Sequence, residues 1–372
     1  MHRPLARYRV LDASTYLLGP FAAMMLADLG ADVIKVEAPG GDPYRRIGPR
    51  RQGIGLRAAV VNRGKRTVAA DLKTDDGRAR FLDLVGTADV VLHNWRPGVA
   101  ERLGLSDAVL AAANPRLVRL WLTGYGATGP LAGRPAFDTL LQAQTGLAHV
   151  QGYPGRPAVL RTYVADKVTA TFAAQAVLAA LLERESTGSG CLVELSMLEA
   201  MAYFNFPDVC LHRLLVNESD SEPLPPPSTI VPTADGAIVV SPVSGQQVRA
   251  ALAAVGHPEW WGDLKGLSRY ADLAPLLVER LSGCTRGRST DDCLAAFAAH
   301  DVPAAPVLDP DGHLADPQVR ALRIYEEFDD PGLGRVRFAR YPVRAIASAT
   351  RPSPAPGEQT DDVLRPRERS VR

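Results

Sequence analysis

The residue in this chain best placed for covalent chemistry is Asp166, in the stretch RTYVADKVTATFAAQAVLAALLERE. It follows the apolar Val164 and Ala165 and stands where a long helix should begin. An aspartate in that position fits two roles. As an N-cap it accepts the free backbone N–H groups of the first turn. As a nucleophile it would be kept ionised by the helix dipole, with the same N–H groups on hand for an oxyanion. Taken by themselves, the residues leave both roles open.

A second group is cationic. Asn62, Lys65 and Arg66 lie in VNRGKRTVAADLK, and Asn94, Trp95, Arg96 and Arg102 in HNWRPGVAERLGL. Cations of this kind grip phosphates, and an aromatic among them stacks on a base. A basic loop is equally well a solvated surface. Gly124, Gly126 and Gly129 spell GxGxxG after a strand-like run, but Pro130, Gly133 and Pro135 stop a helix from starting there. The helix N-terminus that a dinucleotide pyrophosphate needs is therefore missing, and the glycines read as a loop that lets backbone approach a ligand. His93, at the end of a predicted strand, is either catalytic or a polar strand-edge residue. The seven histidines form no HxxxH pair and no GxSxG occurs, so neither a metal site nor the common serine-hydrolase elbow is expected.

These residues sit on an alternation of strand and helix. Strands are predicted over 9–13, 32–37, 67–72, 89–94 and 117–123, with helices over 20–29, 75–85 and 108–113 between them. That succession implies a parallel sheet covered on both faces, whose carboxyl ends are where such folds bind ligands. Helices over 138–150 and 166–185 follow, then a strand over 192–195. Four prolines between Glu218 and Ser228 mark a linker. Past it, a strand and helices over 246–255, 274–281 and 290–300 predict a smaller α+β domain, and a strand over 335–340 precedes the Pro-rich C-terminal stretch.

The 372 residues, 46% of them hydrophobic, suffice for two cores. A formal net charge of +1 gives no basic field for nucleic acid or an anionic membrane. Cys191, Cys210, Cys284 and Cys293 lack CxxC spacing and read as reduced core thiols. No secretory signal is visible, and the apolar run 168–182, interrupted by Thr169, Thr171 and Gln175, is shorter than the roughly 20 residues of a membrane span. A soluble, cytoplasmic protein is the expectation.

The stretches LLGPFAAMMLADLGADVIKVEAPGGDP, NRGKRTVAADLKTDDGR, ADVVLHNWRPGVAERLGL, NPRLVRLWLTGYGATGPLAGRPAFD, ADKVTATFAAQAVLAALLERESTGSG and VPTADGAIVV resemble the successive signatures of the family III CoA-transferases. That family includes formyl-CoA transferase, carnitine-related CoA-transferases and α-methylacyl-CoA racemases. DVPAAPVLDPDGHLADPQVRA and PGEQTDDVL resemble its C-terminal signatures, so the likeness spans nearly the whole chain. It implies an α/β fold: a large Rossmann-like CoA-binding domain with a parallel sheet from 1–215, a linker over 216–228, a small α+β domain over 229–325, and a segment 326–372 returning to the large domain. It also implies an interlocked homodimer.

By the same likeness Asp166 is the nucleophile. Tyr16, Leu17, Asn94, Trp95, Arg102 and Leu103 fall where CoA-contacting residues occur, and Lys65 and Arg66 in the phosphate-side loop. The substrates implied are an acyl-CoA and a carboxylic acid, with neither a metal nor a resident cofactor. Gly124, Gly126, Gly129, Phe137 and Asp138 form a possible active-site loop, its glycines alternative oxyanion donors. The racemases carry a histidine before the second aspartate of that loop, where this chain has Phe137 before Asp138. Phenylalanine moves no proton, so racemisation is the second reading, and a catalytically silent acyl-CoA-binding paralogue the third. The glycine run that covers the site in formyl-CoA transferase has no counterpart between Ser228 and Gly245. Substrate selection is expected from the loop 151–163, from the partner subunit, and from Tyr203, Phe204 and Phe206 unless these are simply core.

Overall fold

The structure is a computed structural model that describes residues 2–152, 155–217, 229–267, 269–343, 345–346 and 352–364. These divide into two compact units, residues 1–209 with 324–372 and residues 210–323. Most of the expected linker, from 218 to 228, lies outside the described residues.

The first unit is built on the strand β1 (Arg9–Asp12), the helix α1 (Leu18–Asp28) and the strand β2 (Asp32–Glu37). A hairpin of β3 (Arg50–Arg51) and β4 (Ile54–Gly55) leads to α2 (Leu56–Asn62) and β5 (Arg66–Ala69). Then come α3 (Asp75–Val85), β6 (Val90–His93), α4 (Val99–Arg102), α5 (Asp107–Ala113) and β7 (Val118–Thr123). After the glycine loop follow α6 (Asp138–Gln144), α7 (Leu147–Gln151), α8 (Val164–Thr187), β8 (Leu192–Ser196) and α9 (Met197–Val209).

The six strands pair in parallel in the order β5-β2-β1-β6-β7-β8. Ranked along the chain within this sheet, that is 3-2-1-4-5-6, the doubly wound order, and its reversal between β1 and β6 opens a crevice at the strands' carboxyl ends. The strands are short apolar runs because both faces are covered. Val10, Val90, Leu92 and Val118 pack on one face with Ala23 and Leu26 of α1 and Ala173 and Val177 of α8. Leu11, Ile34 and Val91 pack on the other with Phe81 and Val85 of α3 and Leu110 of α5. Small residues along α8 let α1 and the sheet approach its backbone.

Two elements differ from the sequence reading. The helix expected over 138–150 is broken at Gly146, whose φ of +81° ends α6 and starts α7. The long helix starts at Val164, with Tyr163 at its N-cap, so Asp166 stands inside the first turn and is not the cap. At 24 residues α8 is also long and apolar enough to cross a membrane, although its apolar run is the shorter one read above. Its alanine face instead fills the core of this unit.

The second unit has a three-stranded antiparallel sheet of β9 (Ile230–Pro232), β10 (Ala237–Val240) and β11 (Ala304–Pro306). Helices over 245–254, 270–285 and 290–299 cover it, around Val231, Ile238, Val240, Leu252, Leu281 and Phe297. The chain returns to the first unit as the antiparallel pair β12 (Tyr325–Asp330) and β13 (Gly334–Ala339).

Candidate active site

A cleft of about 650 Å³ opens at the reversal of strand order. Its walls come from the loop after β1 (Thr15, Tyr16, Leu17, Leu18), the segment after β6 (Asn94, Trp95, Arg96, Arg102), the loop after β7 (Gly124, Arg134, Phe137, Asp138) and the start of α8 (Tyr163, Asp166). Tyr44 and Arg57 complete it.

Asp166 is half-buried, its carboxyl facing this cleft. Burial raises its pKa, the charge of Asp138 raises it further, and together they bring it to about 7 against the backbone N–H of Leu18 and the Lys167 ammonium, which lower it. The expectation that the helix start keeps this carboxylate ionised is therefore overturned, because desolvation outweighs the dipole at this depth. Two N–H groups of its own helix are also not free for an oxyanion. Asp166 N–H donates to Asp138 Oδ2 at 3.1 Å, and Lys167 N–H donates to the Tyr163 carbonyl. Asp138 is itself held by Gln142 Nε2 at 2.5 Å.

The backbone N–H that favours the ionised Asp166 carboxyl, lowering its pKa, is that of Leu18, the first residue of α1, which lines the same cleft. The loop before it is shaped by buried charges. Asp12 Oδ2 accepts from Lys65 Nζ at 2.8 Å, and Lys65 also donates to the Pro20 carbonyl and to Asn62 Oδ1, each at 2.9 Å. Lys35 Nζ donates to the Ser14 carbonyl at 2.8 Å and lies 3.1 Å from Asp42 Oδ2. Asp42 Oδ1 in turn accepts from the backbone N–H groups of Tyr16 and Tyr44. Tyr16 is thereby held at φ +65°, a conformation that costs a non-glycine residue energy and that clusters at functional sites. The network turns the loop so that the start of α1 faces Asp166.

Lys65 and Arg66 are thus not cleft residues. The Lys65 side chain is wholly buried, with its pKa lowered by desolvation to about 8 despite Asp12. Arg66 forks onto Asp32 at 2.6 and 2.7 Å. Both border a separate cavity beside the sheet edge. Leu103 packs into the core with α3 and α5 rather than lining the cleft. Gly124 does line it, and a Cβ there would fall 2.0 Å from Ala136 Cβ, so close packing of the loop requires glycine. Gly126 and Gly129 lie outside the cleft lining, with φ of +91° and +88°, and Gly126 N–H is taken by Thr123 Oγ1. That N–H is unavailable to an oxyanion.

Tyr16, Leu17, Asn94, Trp95 and Arg102 do come together in the cleft. Asn94 ties two loops by accepting Thr15 N–H and donating to the Thr15 carbonyl. His93 is no acid or base: burial alone drives its pKa down to about 3, leaving a neutral ring. Its Nδ1 accepts Trp95 N–H at 3.3 Å and its ring stacks on Trp95 at 4.3 Å, so it supports a cleft-wall aromatic. Arg57 and Tyr44 went unnoticed as site residues in the sequence, and Tyr163 entered only as the end of the loop expected to select substrate. No spacing in the sequence links position 57 to 163.

The fold and cleft define an α/β enzyme with a half-buried carboxyl group at the strand-order reversal, flanked by cations. The chain belongs to CoA-transferase family III, whose family model matches residues 5–360. It is 33% identical over 356 residues to the succinyl-CoA–D-citramalate CoA-transferase of Chloroflexus aurantiacus, covering 93% of this chain and 89% of that one. It is 34% identical over 383 residues to the succinate–glutarate CoA-transferase of Agrobacterium fabrum, covering 97% and 95%. Among solved structures, a CAIB/BAIF family protein from Brucella suis superposes with a TM-score of 0.85 at 29% identity, covering 98% of this chain and 99% of that one. The protein is thus a family III CoA-transferase, a family that uses CoA thioesters as substrates.

Proposed function

We propose that the protein moves CoA from an acyl-CoA to a free carboxylic acid through covalent intermediates on Asp166. The observation that carries this reading is the Asp166 carboxyl in the cleft beside Leu17 and Leu18 at the start of α1. In the first step Asp166 attacks the thioester carbonyl, the C–S bond breaks, and CoA thiolate leaves an acyl-aspartyl anhydride. The thiolate then attacks the Asp166 carbonyl carbon, expelling the donor acid as its carboxylate and leaving an aspartyl-CoA thioester. The acceptor carboxylate attacks that thioester, and the thiolate returns to the acceptor's acyl carbon, freeing Asp166. The net reaction exchanges one thioester for another, so no external energy source is needed, and the covalent route divides it into easier acyl transfers. Backbone N–H groups at the start of α1 would bear the charge of the tetrahedral intermediates, where one well-placed donor is worth about 10²–10³ in rate.

CoA is assigned to the side of the cleft formed by Asn94, Trp95, Arg96 and Arg102, with Trp95 against the base and the arginines toward phosphate. An interlocked homodimer, which the resemblance implies, would cover the acyl side. Phe137, 58% exposed in the cleft and edge-on to Tyr16, favours transfer over racemisation, since it supplies no second proton carrier. The test is to mix succinyl-CoA with a panel of carboxylic acids and follow new thioesters, alongside deuterium exchange at the α-carbon of a branched acyl-CoA. Transfer without exchange supports the proposal; exchange without transfer makes the protein a racemase.

A further inference from the structure

The cleft contains a cation whose charge the protein leaves unmatched. Arg57 is the second residue of α2, and its Nη1 donates to the Tyr163 hydroxyl at 2.6 Å while its guanidinium carbon lies 5.3 Å from that ring's centroid. Tyr44, buried, lines the same cleft, and its hydroxyl favours the charged guanidinium. Gly48 makes the room: a Cβ there would stand 2.8 Å from Arg57 Nε. Neighbouring arginines of this unit are neutralised, Arg45 by Glu37, Arg63 by Asp28 and Arg66 by Asp32. Arg57 has no carboxylate partner among the described residues; its anchors are neutral phenols. A guanidinium has five donors, so the fork keeps free N–H groups, and Tyr163, accepting from it, keeps its own O–H to give.

Its position sets what it can bind. Tyr163 is the N-cap of the helix that carries Asp166, and Tyr44 feels the charges of both Arg57 and Asp166. Arg57 therefore lies close to the nucleophile, whereas Arg96 and Arg102 belong to the segment after β6. Granted the transfer reading above, on which this rests, a thioester carbonyl at Asp166 with CoA toward Arg96 and Arg102 leaves its acyl chain for the Arg57 side. From this we infer that Arg57, with the Tyr163 hydroxyl, grips a second carboxylate, so that the acids handled are short dicarboxylic acids. A planar fork meeting a carboxylate in two parallel hydrogen bonds is the geometry that selects such a group over a methyl end.

The test compares succinate with butyrate, which has the same chain length and one carboxylate, both as acceptors and as their CoA thioesters. The full-length wild type is expected to favour succinate in kcat/KM by about 100-fold or more, since a site built for a polar group rejects the analogue lacking it. In Arg57→Gln that preference should collapse to within about fivefold, and Arg57→Lys, which keeps charge without the fork, should retain part of it. Calorimetric binding of succinyl-CoA and butyryl-CoA gives a readout independent of turnover. Tighter binding of succinyl-CoA that depends on Arg57 upholds the anchor even if no transfer occurs, in which case only the transfer reading fails. Equal use and equal binding of the two by the wild type, or an Arg57→Gln variant that loses both equally and keeps the wild-type ratio, overturns it.

Discussion

Asp138 accepts the backbone N–H of Asp166 through Oδ2 at 3.1 Å and, by its charge, also raises the pKa of the Asp166 carboxyl. One side chain thus fixes where Asp166 stands and resists its ionisation. Asp138→Asn keeps an acceptor for the N–H and removes the charge. The acid limb of kcat/KM, set by Asp166 near pH 7, should move down, by about one unit, because burial, the larger cause, remains. A limb that stays in place would show that Asp138 acts only as a brace.

The raised pKa of Asp166 also has a consequence for stability. Its carboxyl holds its proton to about 7 in the folded chain against an ordinary value of 3.8, so the folded state binds that proton more tightly. Stability from this group is full below about pH 4 and is lost as pH rises through 7. Asp166→Asn should abolish transfer and, at pH 8, stabilise the protein by about 1–2 kcal/mol, the full shift being discounted because the carboxyl opens on the cleft. At pH 4 the gain should vanish, and melting curves at the two pH values read the difference. The same gain at both would mean that ionisation has no part in it.

Lys65 is expected to matter for the fold and the site together. Lys65→Met strands Asp12 with a weaker set of partners, which costs about 3–5 kcal/mol when a buried ion pair is broken from one side. Urea unfolding should show this as a lower midpoint at unchanged slope. A loss below about 1 kcal/mol would return Lys65 to the role of a ligand-facing cation.

His93→Phe keeps a ring under Trp95 and removes the Nδ1 acceptor. Losing one hydrogen bond at the cleft wall should raise KM for the acyl-CoA by about tenfold or less with little change in kcat. The pH profile between 5 and 8 should keep its shape, since a histidine held at about 3 does not titrate there. If a limb of the profile disappears instead, His93 is a proton carrier after all.

What the sequence made legible follows from how local each feature is. The alternation of short apolar strands and helices announced the doubly wound sheet, because strands buried on both faces need continuous apolar runs. Asp166, Asn94, Trp95 and Arg102 were legible through the stretches that carry the family resemblance. Lys65 was misplaced because its partner Asp12 is 53 residues away, and a lysine in NRGKR looks the same whether it faces phosphate or a buried aspartate. The sign of the Asp166 pKa shift was misjudged for a similar reason. A helix start is visible in sequence, whereas the burial and the Asp138 charge that outweigh it arise only on folding. Arg57 came into view only when the structure brought it beside Tyr163, 106 residues later.

The most direct measurement of the central claim is to incubate the full-length protein with succinyl-CoA, add hydroxylamine, and locate the modification by intact mass and peptide mapping. The account predicts a hydroxamate on Asp166, absent without acyl-CoA and absent in Asp166→Asn, because hydroxylamine intercepts an activated aspartyl carbonyl. Succinyl-CoA that binds and is turned over while Asp166 stays unmodified, or a hydroxamate on another residue, would contradict it.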